Sequence, residues 1–155
     1  MFVAVQVSNQ LEGTDGNKAA SDKFHLWVTP PGMFFIIWAV IYTGIGITLV
    51  YNLIKNVWSL KAHFWFFMGN VFSIFWTFVF DHGELWTTVL ASVLIFCIAV
   101  SVFMLWTELG YVEKEKINYW TYFMRNAFAL NLGWIIAATN LNFGMNIVYW
   151  WSASK

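Results

Sequence analysis

Residues 30–54 read PPGMFFIIWAVIYTGIGITLVYNLI, a run without one charged side chain. From about Met33 to about Ile54 it is long enough to cross a hydrocarbon core of roughly 30 Å, which takes about 20 apolar residues in helical form. Lipid offers the backbone no hydrogen-bond partner, so the run must satisfy its own N–H and C=O groups and is expected to be a helix. The lead-in Pro30-Pro31-Gly32 marks the start. Proline removes a backbone donor and clashes with a helix arriving from upstream.

Three more runs of this kind follow: about residues 62–80, ending at Asp81-His82-Gly83-Glu84; about 85–109; and about 120–151, after Glu113-Lys114-Glu115-Lys116. They are too long and too uniformly apolar for barrel strands, which have about 10 alternating residues. Their short connections favour antiparallel neighbours. The expected fold is an all-α integral membrane protein, a bundle of four transmembrane helices occupying residues 27–155. Residues 1–26 form a polar N-terminal segment rich in turn formers, such as Asn9-Gln10-Leu11-Glu12-Gly13. Met1–Val7 is too short to span and lacks the basic flank and cleavage site of a signal peptide, and no Arg-rich presequence is visible. Lys55, Lys61, Lys114, Lys116 and Arg125 fall on one side of the membrane and Lys18, Lys23 and Lys155 on the other, a slight bias that makes the first side the positive one.

Composition excludes whole classes of function. Of 155 residues, 60% are hydrophobic and 10% charged, against about a quarter charged in a soluble domain, so there is too little polar surface for a water-soluble enzyme. Eight basic and eight acidic residues balance, which leaves no electrostatic footprint for nucleic acid. The 11 Trp, 16 Phe and 6 Tyr exceed what interfacial belts around a few helices use, so some are expected to line an interior.

Residue chemistry points away from catalysis. All eight acidic residues lie in loops, in the N-terminal segment or at helix ends, so no carboxylate sits mid-span for a proton relay. Arg125 is one turn inside the last run, where its side chain is expected to snorkel to the headgroups. His25, His63 and His82 are scattered at solvated or interfacial positions, and an axial haem ligand is the alternative use of one of them. The single Cys97 sits in an apolar run as a small hydrophobe. Hydrolase, metalloprotease and P-loop spacings are absent. No catalytic residue and no metal site is assigned.

What remains is shape. Phe34, Trp38, Tyr42 and Gly46 recur every four residues and share one face of the first helix. Asn131, Trp134, Ala138 and Asn142 share a face of the last, and amides at that depth are expected to point inward. Gly69 and Ser73 allow a close helix approach ahead of Trp76 and Phe80. These residues line a cavity suited to a planar apolar ligand, or they pack helix on helix; spacing alone fits both. The loop Leu109-Gly110-Tyr111-Val112-Glu113-Lys114 fits a permissive cholesterol pattern that carries little weight.

Trp27-Val28-Thr29-Pro30-Pro31-Gly32 followed by Phe34-x3-Trp38-x3-Tyr42-x3-Gly46 resembles the tryptophan-rich sensory protein family, also called the translocator protein or peripheral benzodiazepine receptor family. Trp134-x3-Ala138-Thr139-x-Leu141-Asn142 is similar to the motif of that family's last helix, and Trp76-x3-Phe80 to that of another. The resemblance runs over about residues 27–150. It implies a helical bundle that binds, and in some readings transports, porphyrin, haem or a sterol, with Phe34, Trp38, Tyr42, Trp76, Phe80, Trp134, Ala138 and Asn142 as ligand contacts. A porphyrin-degrading enzyme has also been proposed within that family, but no acid or base for it is identifiable here.

The departures imply a second reading. The family has five transmembrane helices and this chain four; Ser73 stands where the family has Asn, Leu130 where it has Pro, and residues 86–106 hold no acidic residue. A bundle short of one helix leaves a groove that a homodimer partner or a neighbouring subunit would fill, since packing and interhelical hydrogen bonds drive association in lipid. The alternative is therefore a non-catalytic accessory subunit of a larger membrane complex, such as a mitochondrial respiratory complex. Expected partners are membrane lipid, a hydrophobic small molecule and such neighbouring chains.

Overall fold

The computed structural model describes residues 36–82, 85–115 and 119–153. Within them lie four helices: α1 (Ile36–Lys55), α2 (Leu60–His82), α3 (Leu85–Glu115) and α4 (Tyr119–Ala153). The expected all-α four-helix bundle is what is found. The polar segment 1–26, the Pro30-Pro31-Gly32 lead-in and Phe34 lie outside the described residues. α3 continues past the expected end near residue 109 to Glu115. Glu and Lys are good helix formers, and the charged stretch extends the helix instead of ending it.

Three of the helices, α1, α2 and α3, are long and apolar enough to cross a membrane. α4 is longer than any of them but carries Arg125 and five asparagines, at 126, 131, 140, 142 and 146, which lower its hydropathy. It belongs to the bundle through packing. Asn131, Asn142 and Asn146 are buried. The Asn146 amide ties α4 to α3 by donating to Ser92 Oγ and to the Thr88 carbonyl.

The helices pack in the order α2, α3, α4, α1. Along α1 and α4 three contacts run antiparallel: Tyr51 stacks on Trp120, Gly44 faces Ala127, and Trp38 meets Trp134. A Cβ on Gly44 would lie 3.3 Å from that of Ala127, so the absence of a side chain sets how closely the two helices approach. By contrast α1 and α2, consecutive in the chain, barely touch along their lengths. α3 is the most enclosed of the apolar spans, with 50% of its apolar stretch buried against 17% for α1.

Hydroxyls within the spans bond to their own helices. Thr48 donates to the Gly44 carbonyl, Ser73 to Gly69, Thr77 to Ser73, Ser101 to Cys97 and Thr139 to Ile135, at 2.7–2.9 Å. This local back-bonding lets a polar side chain sit at membrane depth without a partner helix.

The α1–α2 connection is short. Asn56 takes φ 47°, a left-handed conformation that asparagine tolerates, and its N–H closes the last turn on the Asn52 carbonyl at 2.7 Å. Ser59 caps α2, its Oγ accepting from the Ala62 N–H at 3.1 Å.

Candidate functional site

Two apolar clusters fill the bundle. One, toward the end away from the α1–α2 turn, is built on Trp76, Phe80, Ala91, Ile95, Ile98, Val102, Ile135 and Met145, with Trp38 and Ala138 packed against it. The other, at the turn, is built on Trp58, Ala62, Leu105, Leu109, Met124 and Phe128, with Trp65 and Phe66 alongside. A cavity of about 280 Å³ lies where they meet. It is bounded by α1 through Tyr42, Ile45, Gly46 and Leu49, and by α2 through Trp65, Phe66, Gly69, Asn70 and Ser73. Ile98, Val102 and Leu105 of α3 and Phe128, Asn131 and Ile135 of α4 complete its wall. The space follows from the packing order, because α1 and α2 are held apart by helices that each of them contacts separately.

The lining is apolar with a few neutral polar groups. Asn70 donates one N–H to the Phe66 carbonyl at 2.7 Å, and the Ser73 hydroxyl donates to Gly69. Each therefore keeps acceptor capacity beyond its own helix. Asn131 is 9% exposed. Among the described residues that line it there is no lysine, arginine, histidine or carboxylate. Arg125, one turn from Phe128, lies over the Trp106 ring, 4.5 Å from its centroid, in a cation–π contact.

The residues singled out from sequence separate into three groups. Tyr42 lines the cavity, as do Gly46, Gly69, Ser73 and Asn131. Trp38 stacks on Tyr42 (5.4 Å between centroids, 11° between planes) and meets Trp134 edge-on (5.7 Å, 82°), so these three form an aromatic seam between α1 and α4. Trp76 and Phe80, 7% and 6% exposed, stack on each other at 4.9 Å inside the far cluster, where Ala138 packs. The buried Asn142 donates to the Ala138 carbonyl at 3.0 Å.

The turn end holds residues that spacing did not single out. Trp58 is buried and meets Phe66 and Phe128, both cavity-lining, at 5.5 and 5.8 Å. Asn52 and His63 meet beside it at 3.1 Å. His63, expected at a solvated or interfacial position with haem ligation as the alternative, is exposed and has both ring nitrogens in hydrogen bonds, to Asn52 and to the Ser59 carbonyl. The available signal was the position of Trp58 four residues before the second apolar run, a place where an interfacial tryptophan is ordinary.

The family model for TSPO-like protein matches residues 1–154. No curated protein and no solved structure matches the chain. A family match over almost the whole length, on a bundle three of whose helices are long and apolar enough to cross a membrane, makes the chain an integral membrane protein that belongs to the TSPO-like protein family.

Proposed function

We propose that this chain binds a neutral hydrophobic molecule in the cavity between α1 and α2. The observation that carries the reading is the cavity itself, about 280 Å³ of apolar space in which the polar groups are uncharged amides and hydroxyls. Sites of this kind gain affinity from apolar burial and fix orientation with a few convergent polar groups. The same lining weighs among the ligands that family membership brings to mind. The two carboxylates of a porphyrin would meet no cationic side chain among the described lining residues, and buried unpaired carboxylates are costly. A sterol, neutral with a single hydroxyl, matches Asn70, Ser73 or Asn131 without that cost. Tyr42 is the proposed direct contact from the aromatic seam, with Trp38 and Trp134 holding its ring in place.

The test is binding of the fluorescent sterol dehydroergosterol to the full chain in lipid nanodiscs, read by energy transfer from tryptophan and compared with empty discs. Saturable transfer, displaced by cholesterol and not by protoporphyrin, is expected. Transfer that never saturates, or that protoporphyrin displaces more effectively than cholesterol, would overturn the reading.

A second reading rests on α1. With only 17% of its apolar stretch buried and α4 as its main support, α1 offers a long apolar flank for a neighbouring subunit's helix. As an accessory subunit, in a mitochondrial or other membrane complex, the chain would co-purify in mild detergent with a fixed set of partners and bind no sterol. Recovery as one or two copies of itself would argue against that role.

A further inference from the structure

The α1–α2 turn reaches the cavity wall through Trp58, whose ring meets two of the lining residues, and the turn's hydrogen bonds are compatible with only one protonation state. Trp58 is 5% exposed and sets its ring against Phe66 and Phe128. Its backbone N–H donates to Asn52 Oδ1 at 2.9 Å. That bond orients the Asn52 amide, because with Oδ1 committed to Trp58 it is Nδ2 that faces His63 Nε2 at 3.1 Å. The other imidazole nitrogen, Nδ1, lies 2.9 Å from the Ser59 carbonyl oxygen, which can only accept. Nδ1 therefore carries the hydrogen, and Nε2 accepts from Asn52. One tautomer of neutral imidazole satisfies every contact in this relay.

We propose that His63, acting through Asn52, is a positioning residue that holds Trp58 against the cavity, and that a proton taken up on His63 releases it. This rests on the reading of the cavity as the ligand site. Imidazolium is a donor at both nitrogens, so Nε2–H would face the Asn52 NH2 group. Turning the amide over restores the His63 contact but points NH2 at the Trp58 N–H. Either arrangement loses one bond of the relay. His63 is exposed, while Asn52 is buried. Charged side chains at this end include Lys55 of α1, Lys61 of α2, Glu108 of α3 and Arg125 of α4, and α3 runs on through Glu113, Lys114 and Glu115. Glu108 Oε2 accepts from Ser59 Oγ at 3.4 Å, which brings a carboxylate to the turn.

The experiment uses the full chain in nanodiscs, labelled with 5-fluorotryptophan, with the Trp58 resonance assigned through Trp58→Phe. That resonance is expected to move as pH falls from about 8 to about 5, the range in which imidazole changes charge. His63→Gln, which keeps an acceptor for Asn52 but cannot titrate, is expected to abolish the movement, and Glu108→Gln to leave it. Dehydroergosterol should leave the wild-type cavity about three- to tenfold faster at the acid end, the equivalent of one modest hydrogen bond, and at one rate in His63→Gln. A Trp58 resonance that ignores pH, or whose movement survives His63→Gln, overturns the proposal. So does a Trp58 that moves while sterol release keeps its rate. No saturable sterol binding at either pH sinks the cavity reading instead, and the Trp58 resonance then decides the relay by itself.

Discussion

The two ends of the bundle use the same residue types and are held together differently. At the far end Trp76 lies flat on Phe80, and Trp134 takes Trp38 edge-on; among the described residues the indole N–H groups of Trp76 and Trp134 have no hydrogen-bond partner, nor does Asn146 Oδ1. At the turn end Trp58 is similarly buried, with no partner for its indole N–H among the described residues, yet its main chain is fixed by Asn52, and Asn52 by His63. Shape alone positions the far aromatics. Hydrogen-bond direction positions the near one. An arrangement set by shape changes only when atoms are removed, whereas one set by donor and acceptor roles also changes when a proton is added.

The sharpest way to break the comparison is to truncate one ring at each end. Trp76→Ala and Phe128→Ala each remove a buried aromatic, at a cost of about 3–5 kcal/mol. Both should unfold at lower denaturant in a sodium dodecyl sulfate titration from mixed micelles. Only Phe128 lines the cavity, so at temperatures where both variants remain folded, sterol binding should change in Phe128→Ala and hold in Trp76→Ala. Equal loss of binding in the two would make the far cluster part of the ligand site.

Next in size is Asn52→Leu. It leaves the Trp58 N–H without its acceptor in a buried position and should cost about 1–3 kcal/mol in the same titration. An effect too small to measure would mean that Trp58 is held by packing, as the far-end aromatics are, and not by a bond of the kind Asn146 makes to α3. Gly46→Leu probes the space between the two ends. Nothing lies within 4 Å of a Cβ built there, so the side chain enters the cavity, stability should change by less than about 1 kcal/mol, and sterol binding should fall at least tenfold.

The contrast also explains what the amino-acid order revealed. Trp38, Tyr42 and Gly46 repeat every four residues on α1, and Trp134, Ala138 and Asn142 on α4, so faces of one helix are visible as a period, and the α1–α4 seam could be anticipated. The cavity was legible in part, through Tyr42, Gly46, Gly69, Ser73 and Asn131. Phe66, Leu105 and Phe128 were indistinguishable from any other apolar residue in a membrane span, because which of them meets a void depends on how far apart α1 and α2 are held. The turn relay was hidden for another reason. Asn52 and His63 are eleven positions apart on different helices, and an asparagine and a histidine flanking a loop ordinarily belong to water.

The smallest expected effect tests whether the far end is held by shape. Trp134→Phe keeps an aromatic edge against Trp38 and removes a buried indole N–H that has no hydrogen-bond partner among the described residues. Deleting an unsatisfied buried donor offsets the lost packing of the larger ring, so the variant should stay within about 1 kcal/mol of wild type. The Trp38–Tyr42 stack should persist, seen as an unchanged fluorotryptophan resonance for Trp38. A loss of several kcal/mol would mean that the Trp134 N–H has an essential partner, a lipid headgroup or a bound molecule, and that the far end too depends on hydrogen-bond direction. Trp58→Phe supplies the internal reference. It deletes the same kind of unpaired indole N–H while leaving the backbone bond to Asn52 intact, so similarly small losses in the two variants would confine the difference between the ends to the relay itself.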